Sequence, residues 1–161
     1  MLYGSNAIQD LAKVVIEKKL KHLLLITDPG LIETGLANKV LHTFKNVGLN
    51  IEIYDGVHPN PIEEDVTAGV TAFKSGKFEA LVALGGGSAM DVAKTIRFMA
   101  VHKPPLSQYD DAVGGDKKII HPLPPMYAIP TTAGTGSEVG RSSVITLSDT
   151  GRKTIFFHPD L

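Results

Sequence analysis

The stretch Glu79 to Lys94, EALVALGGGSAMDVAK, constrains the fold more than any other part of the chain. Ala80-Leu81-Val82-Ala83-Leu84 is a short apolar run of strand length, and it leads straight into Gly85, Gly86 and Gly87. Ser88 then opens a helical pattern in which Met90, Val92, Ala93, Ile96 and Met99 are the apolar positions. A strand, a glycine turn and a helix N-terminus form a geometry that binds phosphate. Glycines let the backbone approach an anion, and the first helical N–H groups lack internal partners and carry the positive end of the helix dipole. A plain strand-to-helix turn capped by Ser88 is the competing reading. Three consecutive glycines fit it poorly, because each costs conformational entropy that such a turn does not require.

The chain on either side repeats the same alternation. Apolar spacing at Ile8, Leu11, Val14 and Val15 predicts a helix over 6–20, with Ser5 or Asn6 as its cap. Leu23 to Ile26 is a buried strand ending at Thr27-Asp28-Pro29-Gly30. One helix is expected over 31–47, stopping at Gly48. Ile51 to Tyr54 is a second strand, and a third helix opens at Ile62 with Glu63, Glu64 and Asp65 in its first turn, where acids oppose the dipole favourably. The order βαβαβα predicts an α/β fold: a Rossmann-like open, mainly parallel sheet with helices on both faces. Residues 102–125 hold five of the ten prolines and the Gly114-Gly115 pair, and predict a long excursion with one helical turn near Ser107 to Asp110. A short strand at Met126 to Ile129 then enters a small-residue loop, Pro130 to Glu138. A β-hairpin near the C-terminus follows, with Val144 to Leu147 and Lys153 to Phe157 flanking Ser148-Asp149-Thr150-Gly151.

The 161 residues suit a single domain with a real core. A net charge of −1 offers no broad basic face for nucleic acid. The absence of cysteine excludes disulfides, thiolate zinc sites and cysteine nucleophiles. No apolar run is long enough to span a membrane, and the N-terminus lacks a basic-then-apolar signal pattern, so a cytoplasmic location is the expectation. The six histidines, His22, His42, His58, His102, His121 and His158, show no helical i, i+4 pair. They read as scattered surface or satisfied side chains rather than metal ligands.

Three loops follow predicted parallel strands, and in an open α/β sheet they open on one edge, where ligands bind. Asp28 can accept hydrogen bonds from ribose hydroxyls, or simply cap the helix at Leu31. The turn Gly85 to Ser88 can hold a pyrophosphate. The hydroxyls of Thr131 to Ser137 can donate to phosphate or to a nicotinamide amide, or serve only the turn. Asp91 is expected to be a helix-terminal acid on the substrate side. The acid Asp28 precedes the glycines instead of following them, which argues against the usual Rossmann fingerprint. A carboxylate at Asp28 repels a 2′-phosphate, so NAD is expected over NADP.

Gly85-Gly86-Gly87-Ser88-x-x-Asp91-x-Ala93-Lys94, followed by Pro130-Thr131-Thr132-Ala133-Gly134-Thr135-Gly136-Ser137-Glu138, resembles the iron-containing (group III) alcohol dehydrogenase family, as do Thr27-Asp28 and Asn60-Pro61. The resemblance implies a cofactor-binding domain for NAD(P). Asp28 would lie at the adenosine ribose, Asn60 near the adenosine half, and Gly86, Gly87 and Ser88 at the pyrophosphate. Thr131, Thr132 and Thr135 would border the cofactor, and Lys153 would lie near its ribose or phosphates. It further implies hydride transfer between a small alcohol and its aldehyde or ketone. The iron or zinc would be held by an aspartate and three histidines of a helical domain that these 161 residues do not match. The expectation is therefore a truncated or separately encoded cofactor domain, self-associating through exposed apolar surface and without a metal of its own. A non-catalytic dinucleotide-binding module and a glycerol dehydrogenase-type relative are the alternatives.

Overall fold

The computed structural model describes residues 1–161. Its central sheet has the strand order β2-β1-β3-β4, built from β1 (His22–Ile26), β2 (Asn50–Tyr54), β3 (Ala80–Gly85) and β4 (Met126–Pro130), all parallel. The two inner strands are apolar from Leu23 to Ile26 and from Ala80 to Leu84 because both of their faces are covered there. Leu24, Ile26, Leu81 and Ala83 point to one face, where they join a cluster of 21 buried residues. Leu23, Leu25, Ala80, Val82 and Leu84 point to the other, within a cluster of 12.

The helices divide accordingly. Helix α1 (Ala7–Glu17) and helix α3 (Leu36–Lys45) cover the lighter face through Ala12, Val15, Ala37, Val40 and Phe44. Helices α4 (Glu63–Ser75) and α5 (Gly87–Met99) cover the heavier one through Val66, Phe73, Met90, Val92, Ala93 and Ile96. The crossover from β1 to β2 runs over the lighter face, and those from β2 to β3 and from β3 to β4 run over the heavier face. The chain therefore reverses direction across the sheet between β1 and β3. The loops leaving those two strands diverge there, which is where an open α/β sheet forms its crevice.

The single helix expected over 31–47 is two. A short α2 (Pro29–Glu33) ends at Thr34, and Gly35, at φ +76°, redirects the chain into α3. Glycine enters that left-handed region at no steric cost, so the helical periodicity continues across a break that it does not reveal. Ser88 does not open α5. Gly86 stands at the N-cap and Gly87 is the first helical residue. Asn6 occupies the N-cap position of α1 in a left-handed conformation and makes no side-chain cap bond.

The excursion at 102–125 forms three short 3-10 turns, Leu106–Tyr109, Asp111–Val113 and Gly115–Lys118. It is held by His102, which is buried. Its Nδ1 lies 2.7 Å from the Phe98 carbonyl, and its Nε2 accepts the N–H groups of Ile120 and His121 at 2.9 and 3.2 Å. Beyond β4, strands β5 (Ser142–Thr146) and β6 (Lys153–Phe157) pair as the antiparallel hairpin. Ile145 and Phe156 pack into the heavier face, while Ile155 and Phe157 face outward. The Thr146 N–H bonds the Pro61 carbonyl at 2.9 Å, and Arg152 pairs with the buried carboxylate of Asp110.

Candidate functional site

The turn between β3 and α5 is shaped by what its glycines exclude. Gly85 has φ +152°, and a Cβ there would stand 2.7 Å from the Cβ of Ala89, so both conformation and space require glycine. A Cβ on Gly86 would stand 3.0 Å from Thr132 Oγ1, and one on Gly87 would stand 3.3 Å from Ser137 Oγ and 3.8 Å from Thr135 Cβ. No side chain caps the N-terminus of α5 at Gly86. Its leading N–H groups, which a helix cannot satisfy internally, face a cleft walled by hydroxyls.

Asp28 approaches the same turn from β1. Its Oδ1 accepts the Leu31 N–H at 3.1 Å and caps α2. Its Oδ2 lies 3.7 Å from the point where a Cβ on Gly85 would sit. The two readings of Asp28 are therefore compatible: one carboxylate oxygen is used by the helix and the other is turned toward the glycines. The loop after β4 forms the opposite wall. Its entry is tied to the turn by the Thr131 N–H, which donates to the Gly85 carbonyl at 2.9 Å, while the Thr131 side chain is exposed.

Asn60 and Lys153 meet a few residues along the edge, with Lys153 Nζ donating to Asn60 Oδ1 at 2.8 Å. Asn60 has φ +55°, a conformation that asparagine tolerates better than most side chains, immediately before Pro61. The bond from Thr146 to Pro61 brings β5 alongside and sets this pair in register. Asn60, Lys153, Gly87, Ser88 and Asp91 line one pocket. Asp91 also accepts the Val144 N–H on Oδ2 at 3.2 Å, and burial pushes its carboxyl up to about 6 against the opposing pull of that bond and of Lys94.

Nine candidate positions thus fall into two adjoining groups: Asp28, Gly86, Gly87, Thr131, Thr132 and Thr135 around the glycine turn, and Ser88, Asn60 and Lys153 around the pocket. Ser137 joins the first group and Asp91 the second. Ser137 carries a signal in the sequence only as one hydroxyl among several in a small-residue loop. No group of three His, Cys, Asp or Glu side chains converges anywhere in the chain to hold a metal ion. His102 is committed to backbone partners, and His58 Nδ1 is paired with the buried carboxylate of Asp65 at 2.7 Å.

Comparison with known proteins agrees with this architecture. A family model described as iron-containing alcohol dehydrogenase matches residues 1–161. A choline dehydrogenase of Bacillus subtilis is 39% identical over 144 residues, which is 89% of this chain and 36% of that protein. A crystal structure of a 1,3-propanediol oxidoreductase superposes with a TM-score of 0.90 at 37% identity, covering 98% of this chain and 40% of that one. A sulfoacetaldehyde reductase from Bifidobacterium kashiwanohense, in complex with NAD+, superposes with a TM-score of 0.83 at 26% identity, covering 97% and 40%. The chain spans about two fifths of the length of these relatives.

Proposed function

The chain belongs to the iron-containing alcohol dehydrogenase family, and on that premise we propose that it is the dinucleotide-binding part of an NAD-dependent alcohol dehydrogenase. The observation that carries the reading is the uncapped N-terminus of α5 behind Gly85 to Gly87, with the hydroxyls of Thr132 and Ser137 at 3.0 and 3.3 Å from the two Cβ positions the glycines leave empty. That edge suits a pyrophosphate: the unpaired backbone N–H groups that open α5 and the hydroxyls packed against the glycines present donors side by side to the same anion.

Bound at this edge, NAD supplies the hydride acceptor for oxidation of an alcohol to its aldehyde or ketone. The residues of this chain bind and orient it. Asp28 Oδ2 is turned to accept a ribose hydroxyl, which favours NAD over NADP. Gly86, Gly87 and Ser88 present N–H groups to the phosphates, with Thr131, Thr132 and Thr135 along the opposite wall. Asn60 and Lys153 place an amide and an ammonium where ribose or phosphate oxygens pass. No three His, Cys, Asp or Glu side chains converge here to hold the iron or zinc that the family implies, and a metal held by other ligands would supply the polarisation of the alcohol oxygen. The reading includes a cytoplasmic location and self-association through exposed Val139, Ile155 and Phe157, which light scattering on the purified chain measures.

Gly87→Val tests the reading. The branched side chain enters the cradle and meets Ser137, so NADH fluorescence titration should show loss of binding while the circular dichroism spectrum is retained. Unchanged NADH affinity in the folded variant refutes the phosphate cradle. The chain alone is expected to show no alcohol-dependent NAD reduction with added iron or zinc. Tightly bound stoichiometric metal with metal-dependent turnover would overturn that part.

A further inference from the structure

Lys94 is the least explained side chain near the site. It lies in the second turn of α5 and is 2% exposed, yet it carries an ammonium. A buried cation is costly unless its donors are used. Here Nζ donates to the carbonyls of Gly140 at 2.7 Å and Ser142 at 2.9 Å, the two residues that flank Arg141. Burial lowers the pKa of the ammonium, and the nearby carboxylates of Asp91 and Glu138 draw it back up.

Those two carbonyls lie where the hydroxyl loop leaves the site and becomes β5. Within the loop the bonds are local: Val139 and Gly140 N–H to the Gly136 carbonyl, and Ser137 N–H to Thr135 Oγ1. Its entry is fixed to β3 by the bond from Thr131 to Gly85. Its exit is fixed by Lys94, and beyond it Thr95 bonds Ser143 at 2.9 Å and Asp91 bonds Val144. We infer that Lys94 is a positioning residue that sets the distance between the hydroxyl wall of Thr132, Thr135 and Ser137 and the glycine turn, by clamping the loop exit to the same helix whose N-terminus faces the ligand. The inference rests on the reading of this edge as the dinucleotide site. It explains why a charge is buried here: one ammonium satisfies two carbonyls on either side of an exposed residue, which an apolar side chain cannot do.

The test uses the full chain with Lys94→Met, which keeps length and removes the donors, and Lys94→Gln, which keeps a neutral donor. Trypsin under native conditions reads the clamp, because Arg141 is exposed and its following peptide bond lies between the two clamped carbonyls. Lys94→Met should be cut after Arg141 roughly tenfold faster than the unaltered chain, with other lysine and arginine sites little changed, since cleavage follows the population of the locally opened loop. NADH affinity should fall roughly tenfold in Lys94→Met and less in Lys94→Gln, matching loss of charge-assisted bonds behind the wall. Faster cleavage with NADH affinity unchanged, or cleavage spread evenly over all sites, overturns the positioning role and leaves Lys94 a stabiliser of the fold. If Lys94→Met does not fold, Lys94→Gln carries the same two measurements, and failure of both to fold also overturns it. An unaltered chain that does not bind NADH refutes the cofactor reading instead, while the cleavage rates still report whether the clamp exists.

Discussion

Asp28→Asn separates the two jobs of one carboxylate. Oδ1 caps the five-residue helix α2, and Oδ2 is turned toward the glycine turn. Asparagine caps a helix about as well as aspartate, whereas loss of the cap altogether costs about 1 kcal/mol. The melting temperature should therefore stay within about 2 °C of the unaltered chain, because 1 kcal/mol moves a chain of this size by only about 2–4 °C. The charge is a different matter. Two unit charges about 5 Å apart repel by roughly 1–3 kcal/mol as the effective dielectric falls from about 80 to about 20. Asp28 is partly exposed, so a middle value applies, and removing its charge should raise NADP+ affinity roughly tenfold. NAD+ should lose a few-fold, because a ribose hydroxyl donates less strongly to an amide than to a carboxylate. Isothermal titration with both cofactors, at one low and one physiological ionic strength, measures the ratio. An unchanged ratio of NADP+ to NAD+ affinity, at an unchanged melting temperature, would mean that Asp28 serves only its helix.

Two further variants probe the neighbourhood. The Asp91 carboxyl is pushed up to about 6 from 3.8, so the folded chain holds its proton more tightly than the unfolded one. Its contribution is fully present below about pH 4 and is lost as pH rises through about 6. Asp91→Asn should accordingly be more stable than the unaltered chain at pH 7 by about 1 kcal/mol, after allowance for its partial exposure, and the gain should vanish near pH 4 in urea titrations. A gain that persists at pH 4 contradicts the assignment to ionisation. His102→Ala removes the acceptor of two N–H groups and the partner of the Phe98 carbonyl, and opens a cavity beside Phe98 and Tyr109. It should cost about 2–4 kcal/mol, read as a drop in melting temperature of roughly 5–15 °C, and a smaller loss would show that water replaces the imidazole.

The parts of the fold legible in the sequence are those written locally. The apolar run Leu81 to Leu84 states a strand buried on two faces, and Gly85 to Gly87 state a backbone that must come close to something. The parallel sheet follows from the alternation of such runs with helical spacing. The break at Gly35 is hidden because the apolar positions Leu31, Ile32, Leu36, Val40 and Phe44 keep a helical rhythm across it. The clamp by Asp91, Lys94 and Thr95 is hidden for a different reason. Their spacing places them on one helical face, but their partners are backbone or hydroxyl groups 46–53 positions away, and a carbonyl carries no residue-type signal. His102 reads as one of several scattered histidines because its role consists entirely of main-chain contacts.

The unequal division of the core across the sheet has a consequence for how the molecule opens. The glycine turn, the hydroxyl loop, the Asn60–Lys153 pair and the hairpin all hang on the face with 21 buried residues, while α1 and α3 close the face with 12. Local unfolding favours the more lightly packed unit. Amide exchange should therefore be faster in α1 and α3 than in β3 and α5, and detachment of the first two would leave the glycine turn assembled. Asp28 and Leu31 link α2 to the turn, Asp28 through its cap and its second oxygen, and Leu31 through a side chain 3.6 Å from the Cβ position of Gly85. Ligation at the turn would slow exchange in α5 and β5 strongly, and would reach α3 only indirectly, through α2 and through the strands β1 and β3 on which α3 packs.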